Sequence, residues 1–146
     1  MGPTDRRSCR KGREKNFHKA LVKTLIAHGV DRVFCVPGES YLPVLDAIHD
    51  EPSIRLISCR HEGGAGLMAV ADAKLDSIPL VAITAQVPRA MIGTDAFQEV
   101  DTLGMSMPLT KHNFLVQDIA KLLEMVPRAF SIALSGRPGP VLVDIP

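Results

Sequence analysis

The chain has 146 residues, 46% of them hydrophobic and 23% charged, which fits one globular domain with its own core. Its formal net charge is +1, but residues 1–16 hold six Lys or Arg against two acids, leaving eleven against fourteen in the remainder. A mildly acidic body argues against a nucleic-acid surface, and no apolar run approaches the ~18 residues of a membrane span.

Residues 1–16 have almost no apolar side chains and are expected to form a disordered basic tail. From Phe17, apolar residues recur at helical spacing (Ala20, Leu21, Leu25) up to a stop at His28-Gly29. Val33-Phe34-Cys35-Val36 reads as a buried parallel strand ended by Pro37-Gly38. Ser40 can cap a helix over 41–49, and residues 54–59 form the second strand.

A third helix is expected over 64–74, then, after a very short link, a third apolar strand over 79–85. Residues 87–107 read as a long polar loop punctuated by Pro88, Gly93 and Gly104, and such loops are usually functional or disordered. Residues 109–116 make a short strand, and Asp118 opens helical sequence to about Leu134 with a break or new first turn near Pro127. A turn over 135–140 precedes the last strand, 141–145. Helices alternating with apolar strands predict an α/β fold, a three-layer sandwich around a mostly parallel sheet.

In such sheets ligands sit beyond the carboxyl ends of the strands. Glu62 falls there, after Cys59-Arg60-His61 and before Gly63-Gly64, although an acid at a helix start also serves the helix dipole. Residues 64–69 match the dinucleotide fingerprint G-x-G-x-x-A, but Thr84-Ala85-Gln86, ending the next strand, offer no acid for a ribose. Pro37-Gly38-Glu39-Ser40 is a second turn at ligand height, or an N-cap with an acidic first turn. The stretch 93–101 carries Phe97 and Val100, apolar residues that a solvent loop seldom holds unless it packs over a cleft or a partner. His61 and His112 read as structural, and the scattered histidines suggest no metal site. Cys9, Cys35 and Cys59 form no CxxC pair, which with the absence of a signal-peptide core favours a reducing, cytoplasmic location.

Taken in order from Phe17 onward, several motifs resemble the N-terminal, pyrimidine-binding domain of thiamine diphosphate enzymes, most closely the large (catalytic) subunit of acetolactate synthase. They are Val33 to Gly38, Cys59 to Ala65, Asp76 to Pro88, Ile92 to Glu99, Thr110 to Asn113 and Ser135 to Pro146. The resemblance implies that Glu62 is the catalytic carboxyl, hydrogen-bonding a ring nitrogen of the aminopyrimidine. It implies that Pro37, Gly38 and Gln98 help bind the cofactor, and that Pro88, Arg89 and Phe97 line the substrate channel. The implied reaction condenses 2-keto acids such as pyruvate, towards branched-chain amino acids or acetoin.

Glu39 and Ala85 stand where the family usually has glycine, and Gly63 where it has glutamine, which leaves open another decarboxylase or carboligase of the same superfamily. Between Leu75 and Asp76 the family carries a further strand, turn and helix, so roughly 30 residues, one strand-helix unit, are expected to be missing. The resemblance further places the FAD-binding domain and the diphosphate-binding domain with its magnesium ligands beyond Pro146. Residues 17–146 are therefore expected to be an incomplete pyrimidine-binding domain that shares its cofactor with the diphosphate-binding domain of another subunit, or with an intact large subunit, in a homo- or hetero-dimer. The alternative is a non-catalytic remnant or association-only domain.

Overall fold

The computed structural model of the protein describes residues 6–61, 66 and 69–146, the side chains of 6–16 and 40 excepted. The chain divides into two compact units, Met1–Ser58 and Cys59–Pro146.

The first unit contains helix α1 (Arg6–Ala27), strand β1 (Arg32–Cys35), helix α2 (Leu42–His49) and strand β2 (Arg55–Ser58). α1 starts well before Phe17, so the segment expected to be a disordered tail is helical from Arg6. Arg, Lys and Glu are strong helix formers, and a polar run can extend a helix that an apolar stripe has nucleated. α1 stops where the glycine predicts. Gly29 has φ +77°, its N–H donates to Ile26 O (2.9 Å), and the Val30 N–H donates to Leu25 O (3.1 Å), the paired bonds of a Schellman ending.

α1 packs on α2, and Leu21, Val22, Leu25, Ala47, Ile48 and Ile54 are buried. α2 is preceded by a 3-10 turn over Glu39–Tyr41, so its N-cap falls on Tyr41, not on Ser40. β1 and β2 pair in parallel, Arg32 with Arg55 through Cys35 with Ser58. Burial alternates along β1 and Phe34 is 64% exposed, which corrects the fully buried strand expected. Val33 and Cys35 face one way, the better covered, while Arg32 and Phe34 face the other.

The second unit comprises α3 (Ala69–Asp76), β3 (Leu80–Ala85), α4 (Thr102–Ser106), β4 (His112–Leu115), α5 (Leu122–Leu134) and β5 (Pro140–Ile145). Its sheet has the order β3-β5-β4, all parallel. The central β5 is buried from Pro140 to Asp144. α5 packs over β5 and β3, burying Leu122, Val126, Ala129 and Ala133, one stripe at three- and four-residue spacing. Pro127 lies inside α5 and does not break it. A proline there removes only the bond to the carbonyl of Leu123, a residue 38% exposed and accessible to water.

The fold is therefore α/β, with every strand among the described residues parallel, as expected. Those strands pair two in the first unit and three in the second. The stretch expected to be a plain loop holds a 3-10 turn (Arg89–Met91) and α4.

Candidate functional site

The carboxyl end of β3 feeds the segment that carries most of the expected site residues, and a buried acid anchors it. Asp144 in β5 is fully buried. Its Oδ1 accepts from Thr84 Oγ1 (2.7 Å) and its Oδ2 from Gln86 Nε2 (3.3 Å), the pairing a buried carboxylate requires. The Gln86 amide also donates to Val100 O (2.7 Å), while its own Oε1 accepts the Val87 N–H (2.8 Å). Gln86 thus ties the start and the end of the 87–100 loop to the sheet.

Inside that loop a second carboxylate sets the path. Glu99 accepts the Gly93 N–H on Oε1 and the Ala96 N–H on Oε2 (3.0 Å). Those N–H groups, Gly93 first, hold the Glu99 carboxyl below its ordinary pKa. Gly93, Asp95 and Gln98 have φ of +83°, +58° and +66°, so three of the six residues before Glu99 lie in the left-handed region that non-glycine residues rarely adopt. Thr94 Oγ1 donates to Met91 O (2.7 Å), and Arg89 reaches across to Gln117 O. The outcome is a tightly wound loop that displays Phe97, 88% exposed, beside an exposed Gln98. Asp101 closes it by capping α4 through the Gly104 N–H (2.9 Å).

Four expected residues, Pro88, Arg89, Phe97 and Gln98, therefore share one loop, and all four are exposed. Pro37 and Gly38 follow the carboxyl end of β1 in the other unit. A Cβ built at Gly38 would meet only Tyr41 Cδ2 within 4 Å, at 3.8 Å, so this backbone is not crowded by side chains. Arg60 and His61 follow β2 and are exposed. Glu62, together with Gly63, Gly64 and Ala65, lies outside the described residues.

Asp144 and Glu99 were given no role by the sequence reading. The signal for the first was a lone acid inside the apolar run Val141-Leu142-Val143-Asp144-Ile145, which must find partners when buried. The second had only its place in a turn-rich loop. His112 sits edge-on to the Phe114 ring, centroids 4.5 Å apart, a packing role. Among the described residues no three His, Cys, Asp or Glu side chains come together as metal ligands. No helix among them is long and apolar enough to cross a membrane.

A cavity of about 380 Å³ is lined by Lys74, Lys111, Ser135, Gly136, Arg137 and Pro138, none of them an expected site residue. Two of its three cations serve helix ends, while Lys74 Nζ donates to Thr110 O (3.3 Å). Lys111 Nζ donates to Ile132 O and Ser135 O, each at 2.6 Å, and Arg137 Nη2 to Leu75 O at 3.0 Å, so they neutralise the carbonyls that close α5 and α3.

The family described as "Thiamine pyrophosphate enzyme, N-terminal TPP binding domain" matches residues 15–71. Acetolactate synthase isozyme 1 large subunit of Escherichia coli is 48% identical over 153 residues, covering 86% of this chain and 27% of the relative. The isozyme 2 large subunit of the same organism is 46% identical, covering 86% and 28%. The chloroplastic acetolactate synthase of Arabidopsis thaliana is 42% identical, covering 86% and 23%. This chain spans about a quarter of the length of these relatives. The first alignment extends over 153 positions, while 86% of 146 residues is about 126, so about 27 positions have no counterpart here. That shortfall is the size of the strand-helix unit expected to be missing.

Proposed function

We propose that this chain, similar over most of its length to acetolactate synthase large subunits, supplies the pyrimidine-facing side of a shared thiamine diphosphate site. The match of residues 15–71 to the N-terminal TPP binding family carries this reading. Support from geometry comes from the open backbone at Gly38 and from the wound loop that presents Phe97 and Gln98 together.

The cofactor, when bound, supplies a nucleophilic carbon and an electron sink for 2-keto acids such as pyruvate. The chain's own residues bind and orient it. Glu62 holds a proton against a ring nitrogen of the aminopyrimidine, a task suited to a carboxyl shielded from water. Pro37 and Gly38 offer a surface without side-chain bulk, and Gln98 offers an amide that can donate to or accept from the cofactor. Pro88, Arg89 and Phe97 form the mouth through which the keto acid enters, and Arg89 offers its carboxylate a cation. Magnesium and FAD belong to other domains in the family, and no residue here is assigned to them. The diphosphate-binding side comes from another subunit or from an intact large subunit, in a dimer, and the cytoplasm is the proposed location.

A second reading, a domain that associates with intact relatives without catalysing, is favoured by the shortfall of about 27 positions. Calorimetric titration with thiamine diphosphate and magnesium, with and without an intact acetolactate synthase large subunit, separates the two. Heat of cofactor binding beyond that of the intact subunit supports the shared site. Association of the two proteins with no added cofactor binding supports the second reading.

A further inference from the structure

We infer that Glu99 is a positioning residue whose carboxylate, by gathering the backbone N–H groups of Gly93 and Ala96, holds Phe97 and Gln98 in the conformation that meets the ligand. The inference rests on the proposed function for the identity of that ligand, thiamine diphosphate. Its geometric basis is independent of it.

Phe97 and Gln98 lie between the atoms that Glu99 gathers and Glu99 itself, so one side chain closes a ring of main chain around them. The Glu99 N–H donates to Ala96 O (2.9 Å), completing a two-way clasp between residues 96 and 99. This clasp supports unfavourable backbone. Asp95 and Gln98 both have positive φ, a conformation that non-glycine residues keep only where their surroundings compensate it. An ordinary loop would relax both residues and turn Phe97 inward to escape water. Here the ring stays 88% exposed, an apolar group held out where only a ligand or a partner surface can cover it. The Asp144–Gln86–Val100 connection fixes the base of the loop, and Glu99 fixes its tip.

Amide exchange measured residue by residue in the full chain tests this, on wild type, Glu99→Gln, Glu99→Asp and Gln98→Ala. Glu99→Gln is expected to speed exchange at Gly93 and Ala96 by about tenfold or more, since a charge-assisted acceptor is lost, with Val141 and Val143 unaffected. Glu99→Asp should recover part of that protection. In titrations with thiamine diphosphate, magnesium and an intact large subunit, Glu99→Gln and Gln98→Ala should weaken binding. Their double variant should be no weaker than the worse single one, because both act at one place. Unchanged exchange at Gly93 and Ala96 in Glu99→Gln overturns the inference, as does a double variant whose losses multiply. If the wild-type chain adds no cofactor binding, the proposed function fails, and the exchange measurement alone still decides whether Glu99 sets the loop.

Discussion

Thr84 on β3 and Asp144 on β5 are register partners as well as hydrogen-bond partners, Oγ1 to Oδ1 at 2.7 Å. The neighbouring Gln86 amide takes the other carboxylate oxygen, so one buried acid joins two strands and a loop. Replacing Asp144 by Ala removes the acceptor of two part-buried donors and opens a small void in a buried strand, and should cost roughly 2–4 kcal/mol in urea unfolding. Thr84→Val removes one donor and keeps the shape, and should cost about 1 kcal/mol. Equal losses in the two variants would contradict a shared anchor.

The loop should loosen in acid. Hydrogen bonds from Gly93 and Ala96 lower the Glu99 pKa in the folded chain. A lowered folded value means that the stabilising contribution is fully present above the ordinary carboxylate range and is lost as pH falls through the folded value. Proteolytic cleavage within 93–100 should therefore be slow at neutral pH and quicken below that range. Glu99→Gln should be cleaved quickly throughout, with little dependence on pH from this cause.

Glu62→Gln should abolish any thiamine-dependent pyruvate consumption in a mixture with a diphosphate-binding partner, because the amide cannot exchange a proton with the aminopyrimidine. Substrate loss followed against time, with the partner alone as baseline, measures it. Activity equal to wild type would remove Glu62 from its assigned role.

Val126 and Leu134 give a packing contrast on one helix. Val126 is fully buried and Leu134 is 62% exposed. Val126→Ala should lower stability by roughly 2 kcal/mol, and Leu134→Ala by less than about 0.5 kcal/mol. Thermal unfolding of both variants checks the orientation of α5.

Periodicity was enough to place every strand and the stops at Gly29 and Pro37, because those signals are local. It failed on Pro127, where it did not register how little a proline early in a helix disturbs when the lost bond faces water. It also failed on β1, because whether Phe34 is covered depends on what packs against that face of the sheet, which a local pattern does not carry. The Phe97 loop stood out in the sequence through its misplaced apolar residues, whereas Glu99 did not. Its partners are main-chain N–H groups, which every residue but proline carries and no composition reveals. Asp144 stood in plain view inside an apolar strand, but its partners lie 58 and 60 residues away in sequence.

The flank of β3 that faces away from β5 has a consequence for how the chain behaves at high concentration. The Gln86 N–H points to β5, where it meets Ile145 O, so by alternation Val81, Ile83 and Ala85 turn their N–H and C=O groups to the other flank of β3, where no strand pairs among the described residues. No charged residue stands between Ser77 and Pro88, and charge is the usual guard of such a border. Turbidity should accordingly depend more on the main chain of β3 than on surface charge. Moving the pH away from neutrality should clear a concentrated solution less well than Ile83→Pro, which removes one outward donor while leaving the N–H groups that face β5 in place.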